Sequence, residues 1–356
     1  MVTTADVIMF LVVPPILVFA VLGLWLAQLL VIEGQKRFLH QLRHRHEPLI
    51  RFTNFVGIMF QTFCQWLGYT VTHSGVAEFH LSINDGEVTP KRKKTGFAKW
   101  VADGFLFLGP FLIPAGLLLA AGFFVIRGGF IIPAGVVSVQ SQVTSFGEAL
   151  IGFVQAFIVF LEHLNLLDPL QLGFIVLLFF LGLGIRPSYL GQRRRERVTV
   201  FTDLDNIAAL FLGRTLYICV FVALVYAIAT VSFLLQNAWF LSLVTVFAWI
   251  ALLAILALVL TFVLLIFLRT LDEIQARWRY MPFLAMVVSY VGFRVLFFVV
   301  PLVNAEGASL FGMLGVTLLV TILLLRFKTN TFKASTAMKH RRDPDAKRRS
   351  SQRREG

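Results

Sequence analysis

Residues 239–268 read WFLSLVTVFAWIALLAILALVLTFVLLIFL, thirty consecutive positions without an ionisable side chain. A helix of that length runs about 45 Å, longer than the ~30 Å hydrocarbon core of a bilayer. The solvent for this segment is lipid. The rest of the sequence agrees: of 356 residues, 58% are hydrophobic, 14% are charged and 37 are Phe. Too little polar sequence remains to coat a water-soluble surface, which excludes a soluble enzyme, a secreted scaffold and a disordered chain.

With a ruler of about 20 apolar residues per crossing, further spans fall near 7–32, 105–126, 168–185, 208–235, 283–303 and 309–325. The first follows Met1-Val-Thr-Thr-Ala-Asp6 with no basic leader, is too long for a signal-peptide core, and is expected to bend at Pro14-Pro15. An eighth segment, FTNFVGIMFQTFCQWLGYTV at 52–71, has the length of a span but carries Asn54, Gln61, Thr62 and Gln65. Such groups are costly in lipid and must look inward. Beyond it, Glu78-Phe-His-Leu-Ser-Ile83 alternates, meets Asn84-Asp85-Gly86 and resumes at Glu87-Val88, which signals a β-hairpin. Residues 128–168 mix Gly, Ser and Gln with the apolar run Ile151–Leu161, and read as a long external loop ending in an interfacial helix.

The expected fold is an all-α polytopic membrane protein of seven or eight transmembrane helices, with a small β-hairpin after the second hydrophobic segment. Four regions follow: 1–51, a span and a basic interfacial helix; 52–210, a membrane core with hairpin and long loop; 211–326, a C-terminal bundle; 327–356, a basic disordered tail. No inverted internal repeat of the transporter kind is visible. Cys64 and Cys219 both lie in apolar runs, too few and too greasy for a disulfide framework or a zinc ribbon.

The net charge is +13, and Arg326–Gly356 holds eleven Lys/Arg against three acids, +8 of that total. This composition describes a cytoplasmic tail that brushes anionic lipid. No aromatic residue follows Phe332 to stack on bases, so no specific nucleic-acid partner is expected. The other basic loops are 33–51, 91–99, 186–197 and 269–279. Seven crossings with a re-entrant 52–71 place all of them and the C-terminus inside, with the N-terminus outside.

Gln61 and Gln65 are four apart, so on a helix they share one face with Thr62 beside them. The same spacing carries the two His and the intervening Glu of H-E-x-x-H zinc helices. Trp66-Leu67-Gly68-Tyr69, Ser74-Gly75-Val76, the hairpin 78–88 and Phe107-Leu108-Gly109-Pro110-Phe111 follow in order. Farther on come Gly184-Ile185-Arg186-Pro187-Ser188 and Thr202-Asp203-Leu204-Asp205-Asn206. Over roughly residues 50–210 the chain resembles the site-2 protease family of intramembrane zinc metalloproteases. The resemblance implies a zinc helix at 61–65, a strand pair beside it, and a third, carboxylate ligand at Asp203 or Asp205.

The ligand positions, however, hold carboxamides, which are weak donors to Zn²⁺, and Thr62 has no group that titrates near neutrality. The pentapeptide Gln61-Thr62-Phe63-Cys64-Gln65 is a degenerate motif, so neither proteolysis nor bound zinc is expected and no cofactor is assigned. His40 and His44 are spaced as metal ligands, but Arg43 and Arg45 between and beside them disfavour a dication. Arg294 is the one basic residue deep in a span, with no obvious carboxylate partner, and with Asn54 it marks a candidate polar path.

Three readings of function result. The first is a non-catalytic relative of the proteases that binds a membrane segment, a peptide or a lipid in the old cleft. The second is a transporter or channel using Arg294 and the Asn54/Gln61/Gln65 stripe. The third is a metalloenzyme with unconventional ligands. Partners beyond the bilayer are another membrane protein or peptide, and anionic lipid at the tail.

Overall fold

The computed structural model describes residues 4–42, 47–82, 86–126, 128–131, 139–185, 200–213, 215–235, 237–274, 278–300 and 304–326. Their order is α1 (Thr4–Leu42), α2 (Glu47–Val71), β1 (Val76–Leu81), β2 (Gly86–Pro90), α3 (Phe97–Val125), α4 (Val139–Glu162), α5 (Pro169–Gly184), α6 (Val200–Leu212), α7 (Thr215–Leu234), α8 (Trp239–Asp272) and α9 (Met281–Val299). A last helix, α10, covers Ala305–Arg326. Seven of these (α1, α3, α4, α7, α8, α9 and α10) contain stretches long and apolar enough to cross a bilayer, which makes this an integral, multi-pass membrane protein. The tail from 327 onward, the segment 186–199 and His44 lie outside the described residues.

Two expectations change. Residues 139–162 form one long helix where a loop ending in a shorter interfacial helix was expected, because Phe146, Ala149, Phe153, Phe157 and Phe160 repeat at helical spacing and all five are buried. In contrast, the 168–185 segment folds as α5 with 16 residues, about 24 Å of helix and short of a full crossing. Its start is capped by Asp168, whose carboxylate accepts from the Leu170 N–H at 3.0 Å.

The chain divides into two compact units, Met1–Phe160 with Asn165–Val263, and Leu161–Leu164 with Leu264–Gly356. In the first, Val13 and Leu17 of α1 pack with Phe146 of α4, Ala229 of α7 and Phe240, Leu241, Val244 and Ala248 of α8. Farther along both helices, the Gln35 Nε2–H donates to Leu258 O at 2.6 Å and the Phe38 and Phe262 rings meet edge-on at 5.6 Å. Contacts that advance together along the two helices mean that α1 and α8 run parallel. Gly182 of α5 lies against the backbone of Ala257 and the Thr261 side chain, where a Cβ would collide, so a small residue sets that helix separation.

Helix α1 continues through Pro14 and Pro15. Pro15 has no N–H to offer the carbonyl four residues back, and that carbonyl, Leu11 O, accepts instead from the Tyr226 hydroxyl of α7 at 3.0 Å. In the second unit, the hydroxyls of Ser309, Thr317 and Thr321 on α10 are buried and each returns to the carbonyl four residues before it. No polar hydrogen of theirs needs a lipid partner.

Candidate functional site

Helix α2 separates its side chains sharply. Phe52, Phe63 and Trp66 are exposed, the last two with rings stacked at 5.6 Å, whereas Thr53, Asn54, Thr62 and Cys64 are buried. The polar stripe therefore turns inward, as lipid requires. Helix α3 packs beside it with Gly109 directly against Cys64, where an added Cβ would sit only 3.0 Å from the Cys64 side chain.

The expected hairpin forms and is antiparallel, pairing Phe79 with Val88, His80 with Glu87 and Leu81 with Gly86, with an irregularity between Val76 and Glu78. Residues 83–85 of its turn are outside the described residues. The strand that meets the helix is β2: Gly86 and Val88 are buried while most of β1, including Phe79, is exposed. Gly86 rests on Thr62 and Ile58. The Gln65 amide donates from Nε2 to Val88 O at 3.2 Å and lies 3.4 Å from the Tyr69 hydroxyl.

Each member of the stripe thus has its own surroundings. The Thr62 hydroxyl is fully buried and donates to Ile58 O at 2.8 Å. Gln65 holds the strand. Gln61 is half-buried, and its Oε1 is enclosed without a hydrogen-bond partner. Among the described residues this face offers an unsatisfied acceptor, Gln61 Oε1, beside a fixed strand.

The other sequence candidates are placed elsewhere. Asp205 is exposed on α6, whose main packing partners among the described residues are α3, α7 and α1; the Asp203 side chain is outside the described set. His40 is exposed at the end of α1. Among the described residues no three His, Cys, Asp or Glu converge as a metal group.

Arg294 is paired after all. Its Nη1 lies 3.7 Å from Glu306 Oε1, a residue at the start of α10. Arg294 stands five residues before the end of α9 and Glu306 at the second position of α10, across a short connection, so their pairing follows only once α10 packs beside α9. Three buried polar residues of α1 also escaped notice, Gln28, Gln35 and Lys36. Gln28 and Gln35 are seven apart and share a face, but a hydropathy average over the surrounding apolar run conceals them. Gln28 Nε2 and Thr245 Oγ1 are, with Gln61 Oε1, among the buried polar atoms that lack a hydrogen-bond partner. With this geometry established, comparison with family models, curated proteins and solved structures finds no match for the chain.

Proposed function

We propose that the protein is a non-catalytic, membrane-embedded binding protein on a site-2-protease-like scaffold, and that it recognises a peptide or membrane segment at the hairpin seated on α2. The single observation that carries this reading is the closure of the α2 face by β2. Thr62 stands where a general base would be needed, is engaged with Ile58 O and is covered by Gly86. A hydroxyl at position 62 cannot activate water as a carboxylate would, while the backbone of exposed β1 remains suited to an added strand. The basic tail and loops orient the chain with its C-terminus in the cytoplasm and its N-terminus outside.

The test is site-specific photocrosslinking in native membranes. A crosslinker at Phe79 should capture a polypeptide, and one at Phe124, exposed on α3, should capture lipid. Capture that is the same at both positions, or metal-dependent peptide cleavage by the purified chain, would overturn the reading.

A second reading, conduction of a solute or ion, is favoured by the orphaned buried atoms of Gln28 and Thr245. It draws nothing from Arg294, whose pairing with Glu306 at the start of α10 makes it a clasp. Vesicle uptake abolished by Gln28→Leu would support it.

A further inference from the structure

The first turns of α3 and α7 lie side by side. Tyr217 of α7 touches both Phe97 and Trp100 of α3, at ring separations of 5.8 Å and 5.2 Å, and Phe211 at the end of α6 closes on Trp100 at 6.5 Å. Both helices are membrane-spanning candidates that begin at this point, so their starts share one membrane face and the aromatic group sits where headgroups meet hydrocarbon. The Trp100 indole N–H donates to Leu210 O at 2.9 Å, which fixes the ring and joins α6 to α3.

Beside these rings lies a shallow cleft of about 150 Å³ lined by Gly96, Lys99, Trp100, Asp103 and Gly213, among others. At roughly 30 Å³ per water, it has room for about five waters, the scale of one small polar headgroup and not of a polymer. Residues 91–103 carry five cations, Lys91, Arg92, Lys93, Lys94 and Lys99, against the single acid Asp103. All five cations are exposed. The run is also held in place: the Lys91 and Arg92 N–H groups donate to Gly75 O and Ser74 O at 3.0 and 3.1 Å, tying it to the turn after α2. Helix α3 itself starts on Gly96, at φ 71°, without a capping side chain.

A run of exposed cations tied at Lys91 and Arg92, an aromatic belt and an open polar cleft at the ends of two spans share one complement, a phosphate with hydrocarbon attached. We propose that this face binds the headgroup of an anionic phospholipid, with Lys93, Lys94 and Lys99 supplying the charge and Trp100 and Tyr217 flanking the glycerol and upper chains. The site is separate from the C-terminal tail and does not depend on the hairpin reading.

The experiment titrates the purified full chain in neutral detergent with short-chain phosphatidylglycerol, phosphatidylcholine or inorganic phosphate, and follows the thermal unfolding midpoint. Phosphatidylglycerol should raise the midpoint saturably, and the other two should not. The variant Lys93→Gln/Lys94→Gln/Lys99→Gln should weaken the half-saturating concentration on the order of 100-fold. The matching Arg triple variant and a tail variant, Arg341→Gln/Arg342→Gln/Arg348→Gln, should both keep it. Equal response to phosphatidylcholine, full reproduction by inorganic phosphate, or loss in the tail variant with the site variant unchanged would each overturn the assignment.

Discussion

Gly86 lies directly on Thr62, so closely that a Cβ on the glycine would overlap both the Thr62 hydroxyl and the Ile58 side chain. The hairpin can approach the polar helix only because position 86 has no side chain. Gly86→Val should therefore lift β2 from α2, costing about 1–3 kcal/mol as an overpacked contact does. Limited proteolysis within 76–90 and a lowered unfolding midpoint in detergent are the readouts, and Thr62→Ala in the same chain should recover part of the loss. A variant as resistant as the parent would mean that the hairpin is not packed as described.

Gln61 separates stability from binding. Its Oε1 is buried without a hydrogen bond, and such an atom costs on the order of 1–3 kcal/mol when nothing compensates it. Gln61→Leu should leave stability unchanged or raise it, and at the same time weaken peptide capture by a crosslinker at Phe79. Loss of stability would show that the carboxamide is a structural group.

The Arg294–Glu306 pair should behave as a clasp between α9 and α10. Arg294→Met alone leaves a carboxylate near lipid and Glu306→Gln alone leaves a guanidinium, so each single change should destabilise more than the two together. Thermal melting of the two single variants and the double variant closes this cycle. Additive losses would deny the coupling.

Tyr226 replaces the hydrogen bond that Pro15 cannot give. Tyr226→Phe should cost about 0.6–1.7 kcal/mol, the range for interhelical hydrogen bonds in membranes. Pro15→Ala restores the N–H to Leu11 O, so in that background the Tyr226→Phe loss should shrink towards zero. Unfolding in mixed detergent micelles measures both.

Much of this architecture is legible in residue order. The thirty positions of 239–268 without an ionisable side chain demand α8, and Asn84-Asp85-Gly86 between alternating residues announces the hairpin. Only the second half of α4 is legible as a helix, because Gly147, Gly152 and Gln155 dilute its hydropathy, and the Phe146–Phe160 stripe gains meaning only when Trp249 is there to meet it; the Trp249 Nε1–H lies 3.4 Å from Ala149 O. At the candidate site, spacing alone puts Gln61 and Gln65 on one face. Which glutamine holds the strand and which is left unsatisfied depends on where Val88 O falls, and that is fixed by tertiary contact. Glu306 follows the same rule, since its importance exists only once α10 folds back beside α9.

The Pro15 arrangement also has a consequence in time. The carbonyl released in the first helix and the hydroxyl that satisfies it are 215 residues apart in the chain. At about 5–20 residues per second of synthesis, on the order of 10–40 s separate the emergence of the two. Through that interval α1 carries a bare acceptor, and a bare acceptor in hydrocarbon is costly. The N-terminal helix is thus built to enter the bilayer unfinished, held by water, by the insertion machinery or by a shallow position, until α7 arrives to complete it.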